Sequence, residues 1–217
     1  MRRLLVPLLA PLLLVTCAFA QNHEAYGTQH GEFSTWSSFH VGSNGRLFGF
    51  AEDRALVLTG IRYGWKIGEW RRWGGMTLRY TPEIIPAAYL RDEVIPGTDI
   101  PSLLSQLVPD AKIEKQWVYG VGANPVGLQM NFRRGKRLQP LWDFQGGFLY
   151  FTHRVLAAGG SQFQFTIATG PGAQFFFTPR TALTFGYRYH HMSNANISNQ
   201  NPGTDTNQLY FSFSLFR

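Results

Sequence analysis

Apolar and polar residues alternate along much of this chain with a period of two. From Ala55 to Ile67 the odd positions read Ala, Val, Thr, Ile, Tyr, Trp, Ile, and the even ones Leu, Leu, Gly, Arg, Gly, Lys. From Leu183 to Tyr189 the odd positions are Leu, Phe, Tyr, Tyr, set against Thr184, Gly186 and Arg188. From Leu209 to Leu215 they are Leu, Phe, Phe, Leu, against Tyr210, Ser212 and Ser214. One large apolar face and one small or polar face is the pattern of strands with a different environment on each side. Eight such segments are expected, near Phe33–His40, Arg54–Ile67, Trp73–Thr81, Gln116–Phe132, Leu138–Thr152, Gln162–Phe177, Thr181–Ser193 and Asp205–Phe216. Gly122 and Pro125 predict a bend or bulge in the fourth. The connections alternate in length. Those at Gly68–Arg72, Arg133–Arg137 and Thr178–Arg180 are short; Val41–Asp53 and Pro82–Lys115 are long, and His153–Ser161 and Asn194–Thr204 intermediate.

That alternation predicts an all-β fold, an eight-stranded antiparallel up-and-down transmembrane β-barrel with short turns at one end and longer loops at the other. A secreted lipocalin-like barrel shares the strand count but turns its large apolar residues inward. The membrane reading is favoured by aromatics at strand ends (Trp65, Trp73, Tyr80, Trp117, Tyr119, Tyr187, Tyr189), which suit an interfacial girdle. It is also favoured by the small and charged residues on the opposite face, and by the Phe-rich last segment. The loop Pro82–Lys115 is more apolar than a solvent loop should be, and Ser102–Val108 could form one short helix; the loop is expected to pack over the barrel mouth, with contact to lipid as the sharper alternative.

Composition fits this picture. Aromatics and charged residues are each 15% of the chain, with 23 glycines. Residues 1–20 read as a secretory signal peptide: Arg2 and Arg3, a proline-interrupted apolar run, then Ala18-Phe19-Ala20 before Gln21. The barrel domain is then 21–217. Cleavage there removes Cys17, the only cysteine, so disulfide and thiol chemistry are excluded; a lipidated Cys17 is the competing reading, disfavoured by Thr16 before it. The remaining 18 basic and 13 acidic residues leave a net +5. That suits anionic lipid and is no nucleic-acid signature. No later apolar run reaches the ~18 residues of a membrane helix.

Candidate chemistry lies at the end of the chain. His191 and Ser193 continue the apolar parity of Leu183, Phe185, Tyr187 and Tyr189, and Asp205 continues that of Leu209 to Leu215. With a last hairpin symmetric about Asn199, Ser193 faces Asp205 and His191 faces Asn207. Ser193 would be the nucleophile, His191 its base and Asp205 the group that orients the imidazole. Asn194 is placed to donate to the oxyanion, and Asn207 is an alternative orienter. Polar titratable groups on a face that should meet lipid are costly and call for a function. A lone His-x-Ser is common by chance, Asp205 after Gly203-Thr204 could be a turn residue, and only the shared parity joins them. His190 and Arg188 have inward parity and read as interior packing.

Tyr187-Arg188-Tyr189-His190-His191-Met192-Ser193-Asn194, then Asn201-Pro202-Gly203 and Asp205, resembles the outer-membrane lipid A 3-O-deacylases of the PagL type, often described as acyloxyacyl hydrolase-like. Pro125–Phe132 and Gly146–Phe151 are similar to it as well. The resemblance is strongest over the last thirty or so residues. It implies a Ser-His-acid triad on the barrel exterior, no metal or cofactor, lipid A or lipopolysaccharide as substrate, and removal of the ester-linked 3-hydroxyacyl chain at position 3. It implies a place in the outer membrane of a Gram-negative bacterium. Better-known members carry Glu where this chain has Asp205. The competing functions are an outer-membrane phospholipase, which has more strands and needs calcium, a non-enzymatic small barrel, and a periplasmic binder. Monomer and homodimer both stay open.

Overall fold

The computed structural model describes residues 25–42, 48–49, 54–72, 74–94, 114–157 and 159–217. The expected signal segment, Trp73 and the short helix at 102–108 lie outside the described residues. Among the described residues there are nine strands: β1 (Gly31–Gly42), β2 (Ala55–Trp70), β3 (Met76–Tyr80), β4 (Glu83–Val94), β5 (Glu114–Phe132), β6 (Leu138–Val155), β7 (Ser161–Thr178), β8 (Thr181–Ser193) and β9 (Thr204–Phe216). Every pairing is antiparallel, and β1 pairs with both β2 and β9, which closes the ring. β3 and β4 lie end to end between β2 and β5. They are two halves of one stave, so the ring is eight strands around.

This corrects the expected loop at Pro82–Lys115, whose first part, through Val94, is barrel strand. Two features hid it. Pro82 has no amide to donate, and the ladder is interrupted at 81–82, where the Thr81 amide donates to Gly127 O (2.9 Å) and Pro82 O accepts from the Tyr63 amide (3.3 Å). A second proline, Pro86, sits where the β4–β5 register shifts between Ile85 and Ala88. In β4 apolar residues also occupy both faces, with Ile84 and Tyr89 outward and Ile85, Ala88 and Leu90 inward, so no clean alternation survives. The expected bulge in β5 is present, between Ala123 and Val126.

Bulged strands leave backbone carbonyls unpaired, which is expensive against lipid. Two outward tyrosines answer this. Tyr80 donates its hydroxyl to Pro125 O (2.6 Å), and Tyr119 donates to Pro86 O (2.7 Å). Each stands in for a ladder bond that a proline disrupts. Their neighbours complete an aromatic belt, Trp65 stacked on Tyr80 (5.9 Å) and Tyr89 tilted on Tyr119 (5.5 Å).

Inside, the middle of the barrel is ionic. Asp143 Oδ2 accepts from Arg188 (2.6 Å), Arg62 (3.2 Å) and the Tyr210 hydroxyl (3.3 Å), while Oδ1 accepts from Gln145 (3.0 Å). Glu83, directly after the strand break, accepts from Arg62 Nε (2.8 Å) and Asn124 (2.7 Å). Two guanidinium groups thus meet two carboxylates, and Arg188 lies over the Tyr210 ring at 4.1 Å. Tyr210 fits because residue 186 is glycine; a Cβ there would stand 2.3 Å from the ring. Toward the long-loop end the interior turns apolar, with Trp36, Leu56, Leu58, Ile85, Leu90 and Phe151 in one cluster. At that end the expected polar lining is shared with this apolar cluster, as His40, His190, Thr206, Arg54 and Asp92 are buried there too.

Removing one partner from a buried ionic cluster leaves an uncompensated charge, at about 3–5 kcal/mol. Asp143→Ala is expected to lower stability by that order, read as a lower melting point of the folded, heat-modifiable band in detergent.

Candidate active site

Positions 188 to 193 of β8 alternate between the two environments. Arg188, His190 and Met192 are buried inside, while Tyr189, His191 and Ser193 face outward. The register of the last hairpin centres on Ser198, one residue earlier than the symmetric expectation. His191 therefore pairs directly with Asp205, and Asn207 pairs with Tyr189. Across this pair His191 Nδ1 and Asp205 Oδ1 are 2.7 Å apart. A carboxylate only accepts, so Nδ1 carries the proton and Nε2 is left as the basic nitrogen. Ser193 lies two residues further along the same outward face, beside Phe165 of β7, and Ile167 stands beside His191.

Asp205 has outward parity, yet its side chain is only 2% exposed, against 17% for His191. The cover comes from the connection after β1. The amides of Phe48 and Gly49 both donate to Asp205 Oδ2, at 2.8 and 2.9 Å. The Phe48 ring meets the His191 ring edge-on at 5.7 Å. A Cβ at Gly49 would stand 2.6 Å from the Thr204 backbone, so only glycine lets this strap close on the acid. Gly203, with φ of 58°, brings the other loop against both His191 and Gly49. Sequence reasoning missed Phe48 and Gly49, because a connection has no periodicity that assigns its backbone amides to a partner.

Asn194, expected to serve the oxyanion, is hydrogen-bonded within its own loop. Its amide nitrogen donates to Ser198 Oγ (2.6 Å) and Gln200 O (2.7 Å), and its backbone N–H to Asn201 Oδ1 (2.9 Å). It is buried, and all these donors are committed to building the loop after Ser193. Asn207, the alternative orienter, accepts from the Tyr187 hydroxyl (2.7 Å) and does not pair with His191. Behind the outward pair, inside the barrel, Thr206 Oγ1 lies 3.0 Å from His40 Nδ1 and 3.2 Å from His190 Nδ1. These bonds tie β1, β8 and β9 together at the rim. Among the described residues no three His, Cys, Asp or Glu side chains gather as metal ligands would.

A family model described as lipid A 3-O-deacylase (PagL) matches residues 96–214, more than half of the chain, including His191, Ser193 and Asp205. The chain belongs to the PagL family of lipid A 3-O-deacylases. This PagL-family protein is a hydrolase, and its substrate is lipid A, carried by lipopolysaccharide in the outer membrane of Gram-negative bacteria. Among solved structures the fold is similar to the crystal structure of the outer membrane enzyme PagL, with a TM-score of 0.55 and 14% identity over 82% of this chain and 97% of that one. It is also similar to Neisserial surface protein A (NspA), with a TM-score of 0.52 and 13% identity over 86% and 97%. No curated protein sequence matches it.

The strap makes a specific prediction. Gly49→Val forces the strap off Thr204 and withdraws both amides from Asp205. Each hydrogen bond to a charged group is worth about 1.5–3 kcal/mol. The variant is expected to keep the heat-modifiable folded band and to lose deacylase activity by roughly tenfold or more, as measured by fatty-acid release from lipid A.

Proposed function

We propose that Ser193, His191 and Asp205 form the catalytic set, and that it removes the ester-linked 3-hydroxyacyl chain at position 3 of lipid A from the outer leaflet. The observation that carries this reading is the His191–Asp205 hydrogen bond on the outward face, in line with Ser193. Outer-membrane barrels turn their short connections to the periplasm. This orientation puts the long-loop rim, and with it the three residues, at the outer leaflet. Only a membrane lipid reaches a nucleophile placed there.

The steps this reading requires are those of a Ser-His-acid esterase. Ser193 Oγ attacks the ester carbonyl carbon and passes its proton to His191 Nε2. Asp205 holds the ring by Nδ1 and balances the imidazolium. The tetrahedral adduct collapses, the sugar oxygen leaves with the proton from Nε2, and an acyl-serine remains. Water then attacks it, again losing a proton to Nε2, and the 3-hydroxy fatty acid departs as Ser193 recovers its hydrogen. Phe165 and Ile167 flank the two reacting residues. An apolar groove of about 340 Å³ lined by Phe39, Val57, Phe185, Leu209 and Phe211 lies further down the same exterior. Both favour acyl chains over water at this face. Asn194 shapes the loop behind Ser193; to serve the oxyanion it must release one of its bonds.

Ser193→Ala should abolish shortening of lipid A by one hydroxyacyl chain when the protein is expressed in an outer membrane, with mass spectrometry of extracted lipid A as the readout. His191→Ala should do the same. Asp205→Asn should be milder, by about two orders of magnitude relative to Ser193→Ala. Unchanged deacylation by a folded Ser193→Ala barrel would sink the assignment.

A further inference from the structure

The charge at the two ends of the barrel is unequal. The three short turns read Arg71-Arg72-Trp73-Gly74-Gly75, Arg133-Arg134-Gly135-Lys136-Arg137 and Pro179-Arg180, seven cations and no carboxylate. At the other end, 156–160 and 194–203 carry no charge, 43–54 carries Arg46 and Arg54 against Glu52 and Asp53, and 95–113 carries Lys112 against Asp99 and Asp110.

The turns are far apart in sequence and contiguous in space. The Arg134 amide donates to Gly75 O (3.0 Å), joining the first turn to the second, and the Phe176 amide donates to Arg137 O (2.8 Å), joining the second to the strand that leads into the third. Glu69, near the end of β2, is met by Lys66 (2.5 Å) and by Arg134 of the row (2.9 Å). Arg71, Arg72, Arg133, Lys136, Arg137 and Arg180 are exposed.

The height of the row decides its partner. It lies at the edge of the outward aromatic belt, where Trp65, Trp70, Tyr80, Phe175 and Phe177 are exposed. Arg137 sits over the Phe175 ring at 4.9 Å, and Phe175 is itself an outward, lipid-facing residue. A guanidinium held on a belt aromatic is at the depth of lipid phosphates. Arginine also presents paired donors that match phosphate oxygens.

We propose that this row is a binding surface for the phosphate headgroups of anionic glycerophospholipids in the inner leaflet of the outer membrane. It uses the orientation given above and is independent of the catalytic assignment. The row would fix the depth and tilt of a short barrel by holding one leaflet while the opposite rim works in the other.

The test is native mass spectrometry of the folded protein released from vesicles of equal phosphatidylglycerol and phosphatidylcholine. The wild type should retain phosphatidylglycerol in roughly fivefold or greater excess, and the excess should shrink as salt is raised. Arg71→Gln, Arg72→Gln, Arg133→Gln and Lys136→Gln together should abolish it while the heat-modifiable band persists. Arg71→Lys, Arg72→Lys and Arg133→Lys together should keep most of it, and Ser193→Ala should keep all of it. Equal retention of the two lipids by the wild type overturns the proposal, as does an undiminished excess in the glutamine variant. Binding of polyglutamate in detergent without any phosphatidylglycerol excess would assign the row to an acidic polymer, and the proposal would fall.

Discussion

Consecutive side chains on a strand of a closed barrel go to two different solvents, lipid outside and a packed interior within. Everything at the rim of β8 follows from that constraint. Arg188 is inside because Asp143 and Glu83 are there to receive it; His191 and Ser193 are outside because they are an odd number of residues away. A slip of one residue would carry Arg188 into hydrocarbon, at a cost of about 2–4 kcal/mol near the midplane. A slip of two keeps the faces but takes Asp205 out of its direct pairing with His191. The buried ionic cluster and the outward pair are therefore two readings of one register.

The interior supports this register by its connections more than by its energy. Buried ion pairs return little net stability, because desolvation offsets most of the attraction. Their partners, however, are widely spread. Arg62 is on β2, Glu83 on β4, Asp143 on β6, Arg188 on β8 and Tyr210 on β9. One neutral cluster thus spans the barrel and penalises any staggering of these strands. At the rim the smaller set of His40, Thr206 and His190 does the same for β1, β8 and β9, directly behind the His191–Asp205 pair.

How much of this the sequence disclosed depends on how local the cause is. Alternation is local, so the inward Arg188 and His190, the outward His191 and Ser193 and the closing Phe-rich strand were all legible. β4 was not, because two prolines and apolar residues on both faces removed the period that marks a strand. Register was not fully legible either. A hairpin of unknown loop geometry offers several centres, and the bonds that choose Ser198, including those of Asn194 to Ser198 and Gln200, act within the loop itself. The least visible feature was the strap. Phe48 and Gly49 act through backbone amides, which every residue has, so their identity announces nothing beyond the tolerance of Gly49 for close approach.

The register also bears on the acid. Asp205 stands where better-known relatives of this type carry Glu, and one lost methylene is a real loss of reach if the partner is diagonal. In the symmetric register His191 would have been diagonal to Asp205, at about 7–8 Å between backbones. Centred on Ser198, the two are directly opposite, where cross-strand Cβ atoms lie about 4.5–5.5 Å apart and the short side chain closes the gap to 2.7 Å. The shorter acid leaves its second oxygen near its own backbone, and that oxygen is where the amides of Phe48 and Gly49 arrive. Aspartate, the Ser198-centred hairpin and a glycine at 49 are thus mutually dependent. A glutamate at 205 would project its carboxylate beyond both amides, so restoring the longer acid here would cost this chain the strap that holds it.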